Sequence, residues 1–235
     1  MKNPLKQLIK SVAKSGNAGV VDFFTAKRQL ALRSELLKRA TKEAADLVTS
    51  DMPTAQFCND KLTHLEFLMK GVHQGLILEF GVYKGTTINH LAKLCPDREI
   101  YGFDSFEGLP EDWVGNRYSR RNFDRKGMAP KVLSNVKLVK GLFDATLPGF
   151  LEEHQGPIAF LHIDCDIYSS TDTVLRATEN RLVEGSIIAF DEFFNYHGWR
   201  LHEYKAFNEF IERTGYSFEY LGFSGTEVSV RITKI

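Results

Sequence analysis

Two short apolar runs of this 235-residue chain end in carboxylates: Asp164 and Asp166 close IAFLHIDCD, and Asp191 and Glu192 close SIIAFDE. If the runs are neighbouring strands of one sheet, their ends lie roughly 5 Å apart and the four carboxylates meet above the sheet edge. Extended backbone would put Asp164 and Asp166 on one side of their strand and Cys165 on the other. Like charges this close raise one another's pKa and are costly unless a cation or a proton intervenes. Oxygen-only donors select a hard ion, Mg²⁺ first, with Mn²⁺ or Ca²⁺ as alternatives. The simpler alternative is helix N-capping by Asp166 and Asp191.

A second constellation lies upstream, in Glu79-Phe80-Gly81-Val82-Tyr83-Lys84-Gly85-Thr86-Thr87. Glycines where a strand turns into a helix let the backbone approach a ligand, as in a nucleotide cradle. The segment is neither G-x-G-x-x-G nor a P-loop, and it could also be a plain structural turn. Asp104 ends the next apolar run 23 residues after Gly81, where a carboxylate accepts hydrogen bonds from ribose hydroxyls. His202-Glu203 begins like H-E-x-x-H, but Ala206 stands where the second histidine belongs, so no zinc protease is indicated. Tyr-x-x-x-Lys and G-x-S-x-G are both absent, which weighs against short-chain hydride transfer and serine hydrolysis. In NYHGWR, His197, Trp199 and Arg200 either wall a substrate site or simply pack on the surface.

Carboxylates and glycines at these places need a parallel sheet to position them. LILEFGV (76–82), EIYGFD (99–104), VKLVKG (136–141), IAFLHID (158–164) and SIIAFD (186–191) are apolar runs without polar alternation, separated by helical stretches. Residues 216–223 and 227–235 read as a closing antiparallel hairpin. The fold expected is a doubly wound, Rossmann-like, mostly parallel seven-stranded α/β sheet with that hairpin and an N-terminal helical extension. The extension is residues 1–70, an arm or lid, and the body is residues 71–235. Residues 26–70 read as two helices broken near Pro53, with no strand before residue 75. The polar segment 111–135 reads as a lid over the ligand end or as a solvated loop.

Composition narrows the function classes. Thirty basic and thirty acidic residues cancel, so no global field favours a nucleic-acid partner. The balance hides a basic arm, because residues 1–42 carry ten Lys/Arg against Asp22 and Glu35. Its first turns, with Leu5, Leu8, Ile9 and Val12 opposite four lysines, read as an amphipathic helix that packs on the body, on a second subunit, or on a membrane surface. No apolar run reaches the roughly 20 residues of a membrane span. Cys58, Cys95 and Cys165 are unpaired in spacing, which fits a reducing, cytoplasmic setting.

Taken together, LEFGVYKGTT, YGFDSFEGLP, VKLVKGLFDATLP, HIDCDIYSST and IIAFDEF resemble the class I S-adenosylmethionine-dependent methyltransferases, and more narrowly the macrocin O-methyltransferase family, over roughly residues 55–212. The resemblance implies S-adenosylmethionine contacts at Glu79, Gly81, Gly85, Asp104, Ser105 and Asp144, with Phe80, Thr86, Thr87 and Asp164 in the same motifs. It implies Mg²⁺ or Mn²⁺ ligands at Asp164, Asp191 and Glu192, the last standing where the family commonly has a second aspartate. Asp166, in D-x-D-x-Y-x-S, matches the family's general base. The acceptor implied is a small-molecule sugar hydroxyl. Alternatives are a metal-dependent methyltransferase of phenolic diols and a non-catalytic glycan-binding module. A homodimer through the N-terminal helices is also expected.

Overall fold

The apolar runs fold as strands whose successive side chains enter two separate cores. The computed structural model describes residues 16–115, 119 and 121–235, with side chains from residue 25 onward. The amphipathic stretch expected over residues 2–14 lies outside the described residues. In chain order the elements are α1 (Gly16–Asp51), β1 (Gln56–Phe57), α2 (Lys61–Met69), β2 (Leu76–Phe80), α3 (Thr86–Leu94), β3 (Ile100–Asp104), β4 (Val136–Lys140), α4 (Phe143–Glu153), β5 (Ile158–Ile163), α5 (Tyr168–Thr178), β6 (Leu182–Phe190), α6 (Glu203–Thr214), β7 (Ser217–Phe223) and β8 (Val228–Lys234).

The strands form one sheet in the order β1-β7-β8-β6-β5-β2-β3-β4. β6, β5, β2, β3 and β4 run parallel, while β8 pairs antiparallel with both β6 and β7. The sheet has eight strands rather than the expected seven. The addition is β1, whose two residues pair parallel with Gly222 and Phe223. Such a pairing is too short to leave a periodic signal and is fixed by tertiary contact alone.

Alternation along β2 and β5 shows why both faces are covered. Leu78, Phe80, Leu161 and Ile163 enter the core shared with α1, α4, α5 and α6, whereas Ile77 and Phe160 enter the core shared with α2 and α3. Ala40, Ala44 and Leu47 bring α1 into the first of these cores. α2 starts at a capping box, in which the Thr63 amide donates to Asp60 Oδ1 at 2.8 Å and the Asp60 amide donates to Thr63 Oγ1 at 3.1 Å. Fixed in this way, α2 points its first residue, Lys61, at the carboxyl ends of β5 and β6.

Candidate active site

A cavity of about 780 Å³ opens over the carboxyl ends of the central strands. One end is walled by the β2–α3 turn, Asp104, Ser105 and Asp144; the other by Asp164, Asp166, Asp191, Glu192 and Lys61. Of the expected cofactor residues, Gly81, Thr86, Thr87, Asp104, Ser105, Asp144 and Asp164 line it. Glu79, Phe80 and Gly85 do not. Phe80 is core, stacked on Phe103 at 4.7 Å and edge-on to Phe143. Gly85 caps α3 in a left-handed conformation.

The two glycines serve the protein's own backbone. Gly81 has φ +96°, and a Cβ there would lie 1.7 Å from the Asp164 carbonyl oxygen, so only glycine lets β2 and β5 end side by side. The close approach expected toward a ligand is thus an approach of one strand end to another. Asp104 likewise binds the chain first: its Oδ2 accepts from the Val82 and Tyr83 amides at 2.9 and 2.7 Å, and its Oδ1 from the Phe106 amide at 2.6 Å. Tyr83 and Phe106 are non-glycine residues with φ of 45° and 58°, so Asp104 pins two turns held in the left-handed region. Oδ1 keeps one lone pair free for a ligand hydroxyl.

Beneath the cavity floor Glu79 and His162 form a buried pair, with His162 Nδ1 2.9 Å from Glu79 Oε2. Thr87 donates its hydroxyl to Glu79 Oε1 at 3.0 Å, which ties α3 to the same pair. Burial pushes the Glu79 pKa up against the pull of His162, while Glu79 outweighs burial and raises that of His162. One proton is shared between two groups that have no access to water.

The four carboxylates do converge, but by a different backbone path from the one expected. Asp166 has φ +67°, so extended geometry ends before it and a turn, not strand alternation, brings it beside Asp164. Oxygens of Asp164, Asp166 and Glu192 lie within 4.8 Å of one another, as do ligand atoms of His162, Asp164 and Asp191. The expected trio of Asp164, Asp191 and Glu192 is therefore split between two groups that share Asp164. Asp166 and Glu192 are neighbours in the first of these groups. Burial first, and neighbouring carboxylates second, push both well above the ordinary range. Asp191 Oδ1 and Glu192 Oε2 are buried without a partner.

Three participants were not among the site residues expected from the sequence. Lys61 Nζ contacts Asp191 Oδ2 and lies 3.6 Å from Asp164 Oδ2. Burial works against its ammonium, but Asp164 and Asp191 outweigh it and raise the lysine pKa. Burial, then the charge of Asp164, pushes Asp191 up to about 7 even against Lys61, because Asp191 is the more deeply enclosed partner. The second is His162, in the floor. The third is Glu203, fully buried, whose Oε2 accepts from the Glu192 amide at 2.9 Å.

The NYHGWR segment does not wall the cavity: Trp199 is buried in the core, with the Arg200 guanidinium 4.1 Å over its ring. The described start of the 111–135 segment is pinned rather than loose. Ser169 donates to Glu111 at 2.6 Å, His202 Nε2 lies 2.8 Å from the Val114 carbonyl, and Trp113 and Phe123 line the cavity.

Comparison with known proteins places this arrangement. Residues 78–193, which span β2 to the turn after β6, match a family described as a methyltransferase domain. A curated relative from Streptomyces olivaceus, 8-demethyl-8-(2,3-dimethoxy-alpha-L-rhamnosyl)-tetracenomycin-C 4'-O-methyltransferase, is 26% identical over 144 residues. That match covers 51% of this chain and 53% of the relative, so the chain spans about half of that protein's length. The solved structure of CalS11, a calicheamicin methyltransferase, superposes with a TM-score of 0.61 at 25% identity, covering 84% of this chain and 91% of that one. The O-methyltransferase NovP shares the fold at a TM-score of 0.54 and 20% identity, covering 74% of this chain and 79% of NovP. The strand order, the β2–α3 turn and the domain match agree: residues 78–193 are similar to a methyltransferase domain, and the chain shares its fold with solved methyltransferases.

Proposed function

We propose that this protein transfers the methyl group of S-adenosylmethionine to a hydroxyl of a sugar, free or attached to a natural product. The observation that carries this reading is a single cavity joining the β2–α3 turn and Asp104 to the carboxylates of β5 and β6. The rhamnosyl O-methylation in the name of the Streptomyces olivaceus relative supports the acceptor class. The cofactor reading is supported by the free lone pair of Asp104 Oδ1 and the exposed Asp144 carboxylate on the cavity wall.

Methyl transfer from a sulfonium needs an oxygen in line with the breaking bond, and a sugar hydroxyl is too weakly acidic to ionise unaided near neutral pH. Asp166 is the proton acceptor in this reading. It borders the cavity and is 6% exposed, and burial strengthens it as a base relative to an aspartate in water. Asp164, Asp191 and Glu192 would hold a divalent cation, Mg²⁺ or Mn²⁺. The oxygen-only set and the two orphaned carboxylate oxygens, Asp191 Oδ1 and Glu192 Oε2, fit such an ion. A bound ion would supply Lewis-acid stabilisation of the developing alkoxide. Lys61, His162 and Glu79 position these groups.

The reading includes a homodimer through α1, supported by the exposed Leu30, Leu32 and Leu37. Among the described residues no helix is long and apolar enough to cross a membrane. The test is formation of S-adenosylhomocysteine and methylated product, followed by mass spectrometry, with a rhamnoside, a nucleotide-linked deoxysugar and a phenolic diol as acceptors. Methylation of a sugar is expected; methylation of the diol alone would overturn the acceptor class.

A further inference from the structure

We propose that Lys61 is a displaceable internal counter-ion: its ammonium occupies a cation position between Asp164 and Asp191 and must withdraw before a divalent ion can bind. This rests on the reading of the carboxylate cluster as a metal site and adds to it what governs access to that site.

The geometry carries the argument. Lys61 comes from outside the matched methyltransferase domain, 130 residues before Asp191 in the chain, yet its Nζ sits on Asp191 Oδ2 and 3.6 Å from Asp164 Oδ2. The Asp191 side chain is only 4% exposed and its other oxygen has no partner, so the carboxylate is aimed into the cluster with capacity to spare. With Lys61 in place, the candidate ligand atoms fall into two groups that share Asp164, one with His162 and Asp191 and the other with Asp166 and Glu192. Freeing Asp191 is what would let Asp164, Asp191 and Glu192 act on one ion. An ammonium and a divalent cation cannot share the same oxygens without strong repulsion.

The lysine is also built to leave. Its side chain is 32% exposed on the cavity wall, and its four-carbon stem can swing outward without moving the backbone. α2 is held independently by the Asp60–Thr63 capping box and by Leu65 and Leu68 in the core. Apparent metal affinity is then reduced by the fraction of time that Lys61 vacates the site.

The experiment is titration of Mn²⁺ into the full-length protein, read by calorimetry and by the electron paramagnetic resonance of the free ion, for wild type, Lys61→Met and Lys61→Arg, with circular dichroism to confirm folding. Loss of a partly buried charge-assisted contact corresponds to a Kd lower by about tenfold or more in Lys61→Met, while Lys61→Arg stays near wild type. In the wild type, saturating Mn²⁺ should raise labelling of Lys61 by an amine-reactive reagent, measured by peptide mass spectrometry. Equal or weaker Mn²⁺ affinity in folded Lys61→Met, with the wild type binding, would overturn the proposal and leave the metal reading standing. Absence of Mn²⁺ binding in wild type and Lys61→Met alike would overturn both. If Lys61→Met does not fold, unchanged labelling of wild-type Lys61 at saturating Mn²⁺ would overturn the counter-ion role by itself.

Discussion

Replacing Asp104 by alanine removes the acceptor of three backbone hydrogen bonds, from the amides of Val82, Tyr83 and Phe106. Hydrogen bonds to a charged group contribute about 1.5–3 kcal/mol each when the donors are left unsatisfied. Asp104 is half-buried on the cavity wall, so water can replace the carboxylate and recover much of that loss. Relaxation of Tyr83 and Phe106 from the left-handed region recovers on the order of 1 kcal/mol more and lets both turns shift. The net cost expected is about 2–3 kcal/mol, which for a chain of this size lowers Tm by about 4–12 °C. Asp104→Asn keeps one oxygen for two of the amides but sets an NH₂ against the third, and should cost about 1 kcal/mol. Both variants should weaken S-adenosylhomocysteine binding by about tenfold or more, because the free lone pair on Oδ1 and the turn geometry go together. Scanning calorimetry and isothermal titration on the same samples separate the effects. An alanine variant that melts with the wild type would refute the claim that Asp104 pins the two turns.

Other substitutions probe the remaining parts of the account. Asp166→Asn should keep cofactor affinity but lose about 10²-fold or more in kcat, as expected for removal of a general base; a kcat within a few-fold of wild type would remove Asp166 from that role. Gly81→Ala places a Cβ 1.7 Å from the Asp164 carbonyl oxygen at φ +96° and should destabilise by more than about 4 kcal/mol, measured by denaturant unfolding; a stable, active variant would contradict the reason given for that glycine. His64 is buried against Ser229, and burial, aided by His162, depresses its pKa to about 4. The unfolded chain takes up this proton first, so about 3 kcal/mol of stability is lost as pH falls from about 6.5 to about 4. Relative to His64→Gln the wild type should lose stability across that window, and parallel pH profiles of the two would count against the assignment.

The parts of the fold written in local pattern were legible beforehand. β2, β3, β5 and β6 announced themselves as largely apolar runs, and Asp104, Asp164 and Asp191 as acids at or just past their ends, because a doubly covered parallel strand tends to leave its polar residues at the carboxyl end. What sequence could not show is what depends on distant pairing. Lys61 is an ordinary lysine in a helical stretch until α2 aims it across the sheet edge. His162 and Glu79 look like interruptions of apolar strands until the register places them side by side. Glu203 looked like part of a failed zinc motif, yet it is buried behind Glu192. Phe80 and Gly85 shared a motif with residues that line the cavity, but strand alternation turns the first into the core and the second caps a helix. Asp166 reaches Asp164 through a turn rather than by strand alternation, since its positive φ has no signature in a D-x-D pattern.

The central claim, that this cavity is built for S-adenosylmethionine, is tested most directly by calorimetric titration of that cofactor into the wild-type protein with and without Mg²⁺. Saturable binding of one molecule per chain is the predicted result. A flat titration under both conditions would contradict the methyltransferase account at its root.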